Sequence, residues 1–392
     1  MRICLVYDCL FPYTVGGGER WYRTLGERLV EEGHEVTYLT LRQWKRSERG
    51  EAGLGVHVKS VGPRMSLYTR GGRRRILPPV VFGAGVLAHL VLRGRRYDVV
   101  HTSAFPYFSL LAAAAARPLA GFGLVVDWFE VWSAEYWAEY LGRWGRIGVW
   151  VQRLCASVPQ YAFCLSRLHA RRLLDEGLRS QPVLLRGLHS RGASPEARRA
   201  GEPLVVFAGR LIPEKRAAAV VPAVVLAARR IPGLRGVVFG DGPERERVLA
   251  AIAAAGRDAP VSAPGFVPAE EIEDALARAL CMVLPTRREG LGTVVIEAAA
   301  LGVPSVVVAG PDSAATELIE PGRNGYIATS ALAEDLADAI FAVHEGGAEL
   351  RRQTANWFDA HAHELSIEGS LELVLSAYED LQSGSDRTQD LC

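Results

Sequence analysis

Short apolar runs alternate with helical stretches along nearly the whole chain, and the alternation begins again after a break rich in Gly, Ser, Pro and Arg at 180–203. Such alternation builds βαβ units, and these assemble into parallel sheets with helices on both faces. In the first half, 3–7, 36–39, 56–60, 99–102, 124–127 and 161–165 read as strands, and 17–32, 74–93 and 105–116 as helices. In the second half, strands at 204–208, 236–240, 282–285 and 305–309 alternate with helices at 215–231, 244–255, 270–279 and 293–301. A chain of 392 residues has room for two such sheets, each with its own core. The expected organisation has five parts: a Rossmann-like domain over 1–185, a linker over 186–202 and a second Rossmann-like domain over 203–362. A helix over 363–382 packs back on the first domain, and a disordered tail covers 383–392.

Charge separates the halves. Residues 1–196 carry 27 Lys and Arg against 16 Asp and Glu, whereas 197–392 carry 18 against 28. A basic half beside an acidic half points to two domains with different partners. The basic half suits an anionic lipid, an anionic acceptor or the other domain, and no nucleic-acid-binding motif accompanies its charge. The six cysteines show no CxxC spacing, and Cys4 and Cys281 sit in strand-like runs, so buried reduced thiols in a cytoplasmic protein are expected. The first residues run straight into a strand pattern without a signal-peptide layout. No run of 18 apolar residues is read, so no spanning helix is expected.

Three segments of the second half carry chemistry, each directly after a strand. The first is Gly209-Arg210-Leu211-Ile212-Pro213-Glu214-Lys215-Arg216. Two cations at a strand-to-helix turn converge beyond the carboxyl edge of the sheet, where open α/β sheets bind ligands. They suit a diphosphate and the charge that grows on it as it leaves. The chain has only three lysines (Lys45, Lys59, Lys215), and one lies here. The second segment is Gly240-Asp241-Gly242-Pro243-Glu244, a turn whose Pro fits the first position of a helix. The third is Glu289-Gly290-Leu291-Gly292-Thr293, with a second carboxylate at Glu297. A helix start at Thr293 offers free N–H groups to a phosphate, with one carboxylate for the donor sugar and one for the ribose.

Together these residues resemble glycosyltransferase family 4, retaining enzymes of the GT-B fold, with two Rossmann-like parallel-sheet lobes facing a central cleft. The match runs through GRL-x-x-EK at 209–215, GDGPE at 240–244 and EGLGTVVIE at 289–297. It continues through 298–307 and 317–327, and Gly16-Gly17-Gly18-Glu19-Arg20 resembles the family's glycine-rich loop after the first strand. The resemblance implies a nucleotide-sugar donor held by Gly16, Gly17, Gly209, Arg210, Lys215, Gly290, Leu291, Gly292, Thr293 and Glu297. Arg210 and Lys215 would take the diphosphate, Glu289 the donor-sugar hydroxyls and Glu297 the ribose. It implies same-face transfer with retention. No cofactor is expected, the nucleotide-sugar being a substrate, and no metal site, since the two cations replace one.

The first half departs from the family at one position. Where the family carries a His after the middle strand of the first lobe, the sequence reads 124–132 with Phe129 in its place. Phenylalanine makes no hydrogen bond to a sugar hydroxyl. Asp127, Glu130 and His101 become the candidates for the acceptor or donor-sugar side, and a slow or inactive enzyme stays open. At 186–189 the linker shows Arg-Gly-Leu-His where the family often shows an Asn-Gly turn.

Arg70, Arg73, Arg74, Arg75, Arg93, Arg95 and Arg96 flank an apolar helix, and five tryptophans lie between 128 and 150 with Arg143 and Arg146. Tryptophan with arginine suits a membrane interface, sugar stacking, or a core with solvated charges. Peripheral binding to the inner face of an anionic membrane is predicted. The expected function is transfer of a sugar to a glycan, lipid-linked or small-molecule acceptor. The competing classes are a non-catalytic nucleotide-sugar-binding subunit and a GT-B sugar-nucleotide epimerase.

Overall fold

The computed structural model describes the chain except for residues 46–49, 54, 68, 70–73, 188–201 and 384–392. Most of the expected linker with its His189, the tail, and Arg70 and Arg73 lie outside the described residues. Two compact units form: unit 1 from Met1–Thr69, Arg73–Arg186 and Glu368–Cys392, and unit 2 chiefly from Gly187–Ile367.

Unit 1 runs β1 (Arg2–Val6), α1 (Gly17–Glu31), β2 (Glu35–Thr40), β3 (His57–Ser60), α2 (Leu77–Arg93), β4 (Val99–Ser103), α3 (Phe108–Ala120) and β5 (Gly123–Trp128). It continues through α4 (Ala134–Leu141), α5 (Gly145–Ala156), β6 (Tyr161–Cys164), α6 (Arg167–Asp175) and β7 (Val183–Leu184). Its sheet has the order β3-β2-β1-β4-β5-β6-β7, with every pair parallel. Ile3 to Val6 are fully buried, as expected for a central strand covered on both faces. The amphipathic stripe Trp21, Tyr22, Leu25 and Leu29 docks α1 on that sheet. The helix expected over 74–93 starts later, at Leu77, because Pro78 and Pro79 favour the first turn and disfavour helical geometry before them.

Unit 2 runs β8 (Leu204–Ala208), α7 (Val220–Ala227), β9 (Arg235–Phe239), α8 (Arg245–Ala254), β10 (Val261–Gly265), α9 (Ala269–Arg278) and β11 (Cys281–Leu284). Then follow β12 (Arg288–Glu289), α10 (Thr293–Ala300), β13 (Ser305–Val308), β14 (Asp312–Ser313), β15 (Gly325–Ala328) and α11 (Ala333–Leu365). The sheet order is β10-β9-β8-β11-β13-β15, and β12 and β14 form a small separate pair. The helix expected over 215–231 is broken: Arg216 sits at φ 49°, between two single 3-10 turns, and α7 begins only at Val220. Among the described residues Arg216 is the one non-glycine with positive φ.

α11 is interrupted at Gly347 (φ 50°, ψ −139°), and the last helix, α12 (Ile367–Ser383), returns to unit 1. There the Tyr378 hydroxyl lies 2.7 Å from His101 Nδ1, and Leu381 packs over Gly123.

Candidate active site

In unit 2 the chain leaves β8 toward β9 on one side and later places β11 on the other. Loops leaving the carboxyl ends of β8 and β11 therefore diverge and open a crevice, the usual ligand site of a doubly wound sheet. The 209–215 segment follows β8, and the 289–293 segment follows β11.

Backbone geometry pins the first loop. The Gly209 N–H donates to Phe239 O at 3.2 Å, and Leu211 N–H to Asp241 O at 2.9 Å. A Cβ at Gly240 would sit 1.9 Å from Gly209 O, and one at Gly242 2.4 Å from Leu211 O. Both glycines have positive φ, so the Gly-Asp-Gly turn is a template against which the Arg210 loop lies, as no side chain fits between. The Arg287 N–H donates to Glu214 O at 2.9 Å, which joins the two loops.

That joining brings Lys215 and Glu289 together. Lys215 Nζ donates to Glu289 Oε2, with the side chains 19% and 14% exposed. Arg288 approaches Glu214 at 3.9 Å. Arg210 is exposed on the same loop as Lys215. Gly290 and Leu291 are buried, and Gly292 at φ 92° turns the chain into α10, whose first residue is Thr293. Glu297 lies exposed one turn further along. Two residues to which the sequence assigned no role also belong here. Arg216 is half-buried beside Arg287, and burial and that like charge hold its guanidinium below the usual arginine value. Thr286 is buried with no hydrogen-bond partner for its hydroxyl. Arg216 closes the first segment and Thr286 lies shortly before Glu289, and that proximity was the available signal.

In unit 1 the glycine-rich loop follows β1. Gly17 is exposed, with open space where a Cβ would stand, and Gly16 is half-buried over Glu19. At Gly18 a Cβ would come 2.7 Å from the Tyr7 hydroxyl and 3.2 Å from Phe129, so the close approach requires glycine. Phe129, at the end of β5, thus faces this loop and stacks edge-on with Tyr7 and Tyr22.

The expectation that His101 faces a ligand is corrected. His101 is fully buried in mid-strand, its Nδ1 on Tyr378 and its Nε2 2.9 Å from Asp127 Oδ1. Asp127 is 2% exposed and also accepts from Trp21 Nε1 at 2.9 Å. Both groups spend their hydrogen-bonding capacity holding α1, the sheet and α12 together. Glu130 is half-buried and accepts from the Trp132 indole at 2.9 Å. Arg74, expected on the basic flank, turns inward to fully buried Asp8. Sequence reasoning passed over Asp8, although only Tyr7 separates it from the end of β1.

The chain matches the family described as glycosyl transferases group 1 over residues 193–357 and the glycosyl transferase 4-like domain over 16–189. It is 33% identical over 175 residues to the GDP-mannose-dependent alpha-(1-6)-phosphatidylinositol monomannoside mannosyltransferase of Mycobacterium tuberculosis, covering 41% of this chain and 45% of that one. It is 31% identical over 157 residues to the alpha-D-kanosaminyltransferase of Streptomyces kanamyceticus, covering 38% and 40%. The matched stretches thus span less than half of these relatives. Among solved structures, sucrose-phosphate synthase of Thermosynechococcus elongatus superposes with a TM-score of 0.77 at 18% identity, covering 98% of this chain and 99% of that one. HepE of Anabaena, in complex with UDP, superposes with a TM-score of 0.72 at 16% identity, covering 97% and 100%. The fold is GT-B, and the chain belongs to the group 1, family 4 glycosyltransferases.

Proposed function

We propose that, as a member of this family, the chain is a retaining, metal-independent glycosyltransferase with its nucleoside-diphosphate donor on unit 2. The observation that carries the reading is the Lys215–Glu289 pair, set beside Arg210 and the start of α10 at the switch point of the sheet. Without donor the two charges neutralise each other. An arriving diphosphate competes for Lys215, which frees Glu289 to accept hydrogen bonds from the donor sugar. Glu297 is placed for the ribose. The bond from the anomeric carbon to the diphosphate breaks, and its electron pair goes to the phosphate oxygen held by Arg210 and Lys215. The acceptor hydroxyl bonds to the same face of that carbon, and its proton passes to the departing phosphate. No step requires a metal, because the cations already balance the leaving charge. Retention rests on the family likeness.

The UDP in the HepE structure and the GDP-mannose in the mycobacterial relative's name support a nucleotide-sugar donor of either base. The acceptor, a glycan, a lipid-linked sugar or a small molecule, is assigned to unit 1. Among the described residues, five buried free thiols support a reducing, cytoplasmic setting. The test is release of nucleoside diphosphate from a panel of nucleotide-sugars in excess chelator, with thermal shifts on the same panel. Turnover without metal is the expected result. Neither turnover nor a shift with any donor sinks the reading.

One observation favours a second reading, a nucleotide-sugar-binding protein without turnover: Phe129 occupies the position facing Gly18. Thermal shifts without turnover select it, and Phe129→His then asks whether an imidazole restores transfer.

A further inference from the structure

Helix α2 carries an uninterrupted apolar stripe on its outer side. Ile76, Leu77, Val80, Leu87, Val91 and Leu92 are all exposed, Leu92 at 81% and Leu77 at 63%. Ala84 and Ala88 fill the gaps between them. The segment Leu77–Arg96 has the length and mean hydropathy, 1.5, of a membrane-crossing helix, which the sequence reading did not foresee. Its inner side is committed to the fold, however. A Cβ at Gly85 would sit 1.8 Å from Val61 O and one at Gly83 2.6 Å from Phe108 Cβ, so the helix lies pressed against its neighbours. His89, on that inner side, is within 2.8 Å of the Tyr97 hydroxyl. Only the outer stripe is available, and a helix with one free apolar side lies along a bilayer surface rather than through it.

Charge identifies what covers the stripe. Arg75 precedes it, Arg93, Arg95 and Arg96 follow it, and all four are exposed. Between Glu51 and Asp98 the sequence has no acidic residue and nine basic ones. A second copy of this chain would set these arginines against one another. A second apolar stripe accompanies the first. On α5 and its preceding turn, Trp144, Ile147, Trp150 and Leu154 are exposed at helical spacing, with exposed Arg143 and Arg146 among them. The connections β3 to β4, β4 to β5 and β5 to β6 all step the same way across the sheet. Right-handed crossovers therefore put α2, α3 and α5 on one side of it. Of the other three tryptophans in the 128–150 stretch, Trp128 and Trp137 are buried and Trp132 is half-buried.

We propose that this helical side of unit 1 is a docking surface for an anionic lipid bilayer, with α2 lying in the interface plane and its arginines at both ends on lipid phosphates. The interfacial enrichment of tryptophan fits Trp144 and Trp150 to the headgroup level. An enzyme so placed meets an acceptor carried in the membrane. That consequence rests on the proposed transfer reaction, whereas the surface itself does not.

The test is flotation of the full chain with vesicles of phosphatidylcholine, alone or doped with phosphatidylglycerol. The doped vesicles should bind it, the neutral ones weakly, and rising salt should release it. Leu92→Asp should lower partitioning at least tenfold. Arg93→Gln and Arg96→Gln should each lower it about fivefold. Leu92 and both arginines are exposed, and an unchanged melting temperature and unchanged nucleotide binding would show the fold intact. Three outcomes overturn the proposal: no binding to doped vesicles, binding indifferent to Leu92→Asp, or a solution dimer that Leu92→Asp dissolves in a chain that ignores vesicles. Vesicle binding without donor turnover keeps the surface and removes the transfer reading; turnover without vesicle binding does the reverse.

Discussion

β1 of unit 1 and β8 of unit 2 occupy equivalent places in sheets wound the same way, each with the chain departing to one side and later filling the other. The two units differ in what they do with that scaffold. Unit 2 keeps its apolar groups inside: Phe266 and Leu332 are its only large exposed hydrophobics among the described residues. It places its charged motifs on the loops after β8 and β11. Unit 1 ties up the carboxylates near the same end of its sheet in buried pairs, Asp8 with Arg74 and Asp127 with His101. It shows its distinctive surface on outer helices instead. On the readings proposed above, one winding serves ligand chemistry in one unit and surface attachment in the other, because strand order sets where loops open while helix exteriors remain free to vary.

The largest expected effect tests the assignment of chemistry to unit 2. Lys215→Ala or Glu289→Ala should lower kcat/KM by about 10²–10³-fold, in the range seen when one preorganised charge is removed from a reacting centre. Wild-type rates in both would erase the contrast between the units. A smaller effect, on stability, is expected from Asp127→Ala, which strands the buried His101 and the Trp21 indole. A loss of about 2–4 kcal/mol in urea unfolding is predicted. If folded Asp127→Ala also loses turnover out of proportion to its folded fraction, the pair has a role in the reaction and unit 1 is not merely scaffolding there.

A pH effect of similar or smaller size sharpens the account of α2. Burial, aided by Lys59 and Arg93, lowers the pKa of His89 from 6.5 to about 4. The fold therefore favours the neutral ring. Its contribution is fully present above pH 6.5 and is lost as pH falls toward 4, on the order of 2 kcal/mol. Melting temperatures over that range should fall in the wild type and fall less in His89→Gln. The smallest effect is a gain. Arg216→Gly relieves a left-handed residue and should stabilise unit 2 by up to about 1 kcal/mol, part of it offset by the freer unfolded chain. Reduced donor affinity in that otherwise stabler variant would place the Arg216 charge in the donor site.

The sequence alone determined the parallel βαβ architecture of both halves and the loops that carry the motifs. Periodicity and turn residues are local, and strand-to-helix spacing leaves few topologies open. It also marked Lys215 and Glu289, since residue type at a fixed offset from a strand end is readable along the chain. Only the tertiary structure decided that Lys215 and Glu289 meet, because they lie 74 residues apart and join through the adjacency of β8 and β11. Burial was likewise decided in three dimensions. His101 and Asp127 looked available as polar groups near strand ends, and Arg74 as a solvated charge beside a helix, yet each is captured by a partner distant in sequence. In the same way, Trp128 and Trp150 are alike in the sequence and opposite in the fold, since exposure depends on which neighbours pack against a side chain.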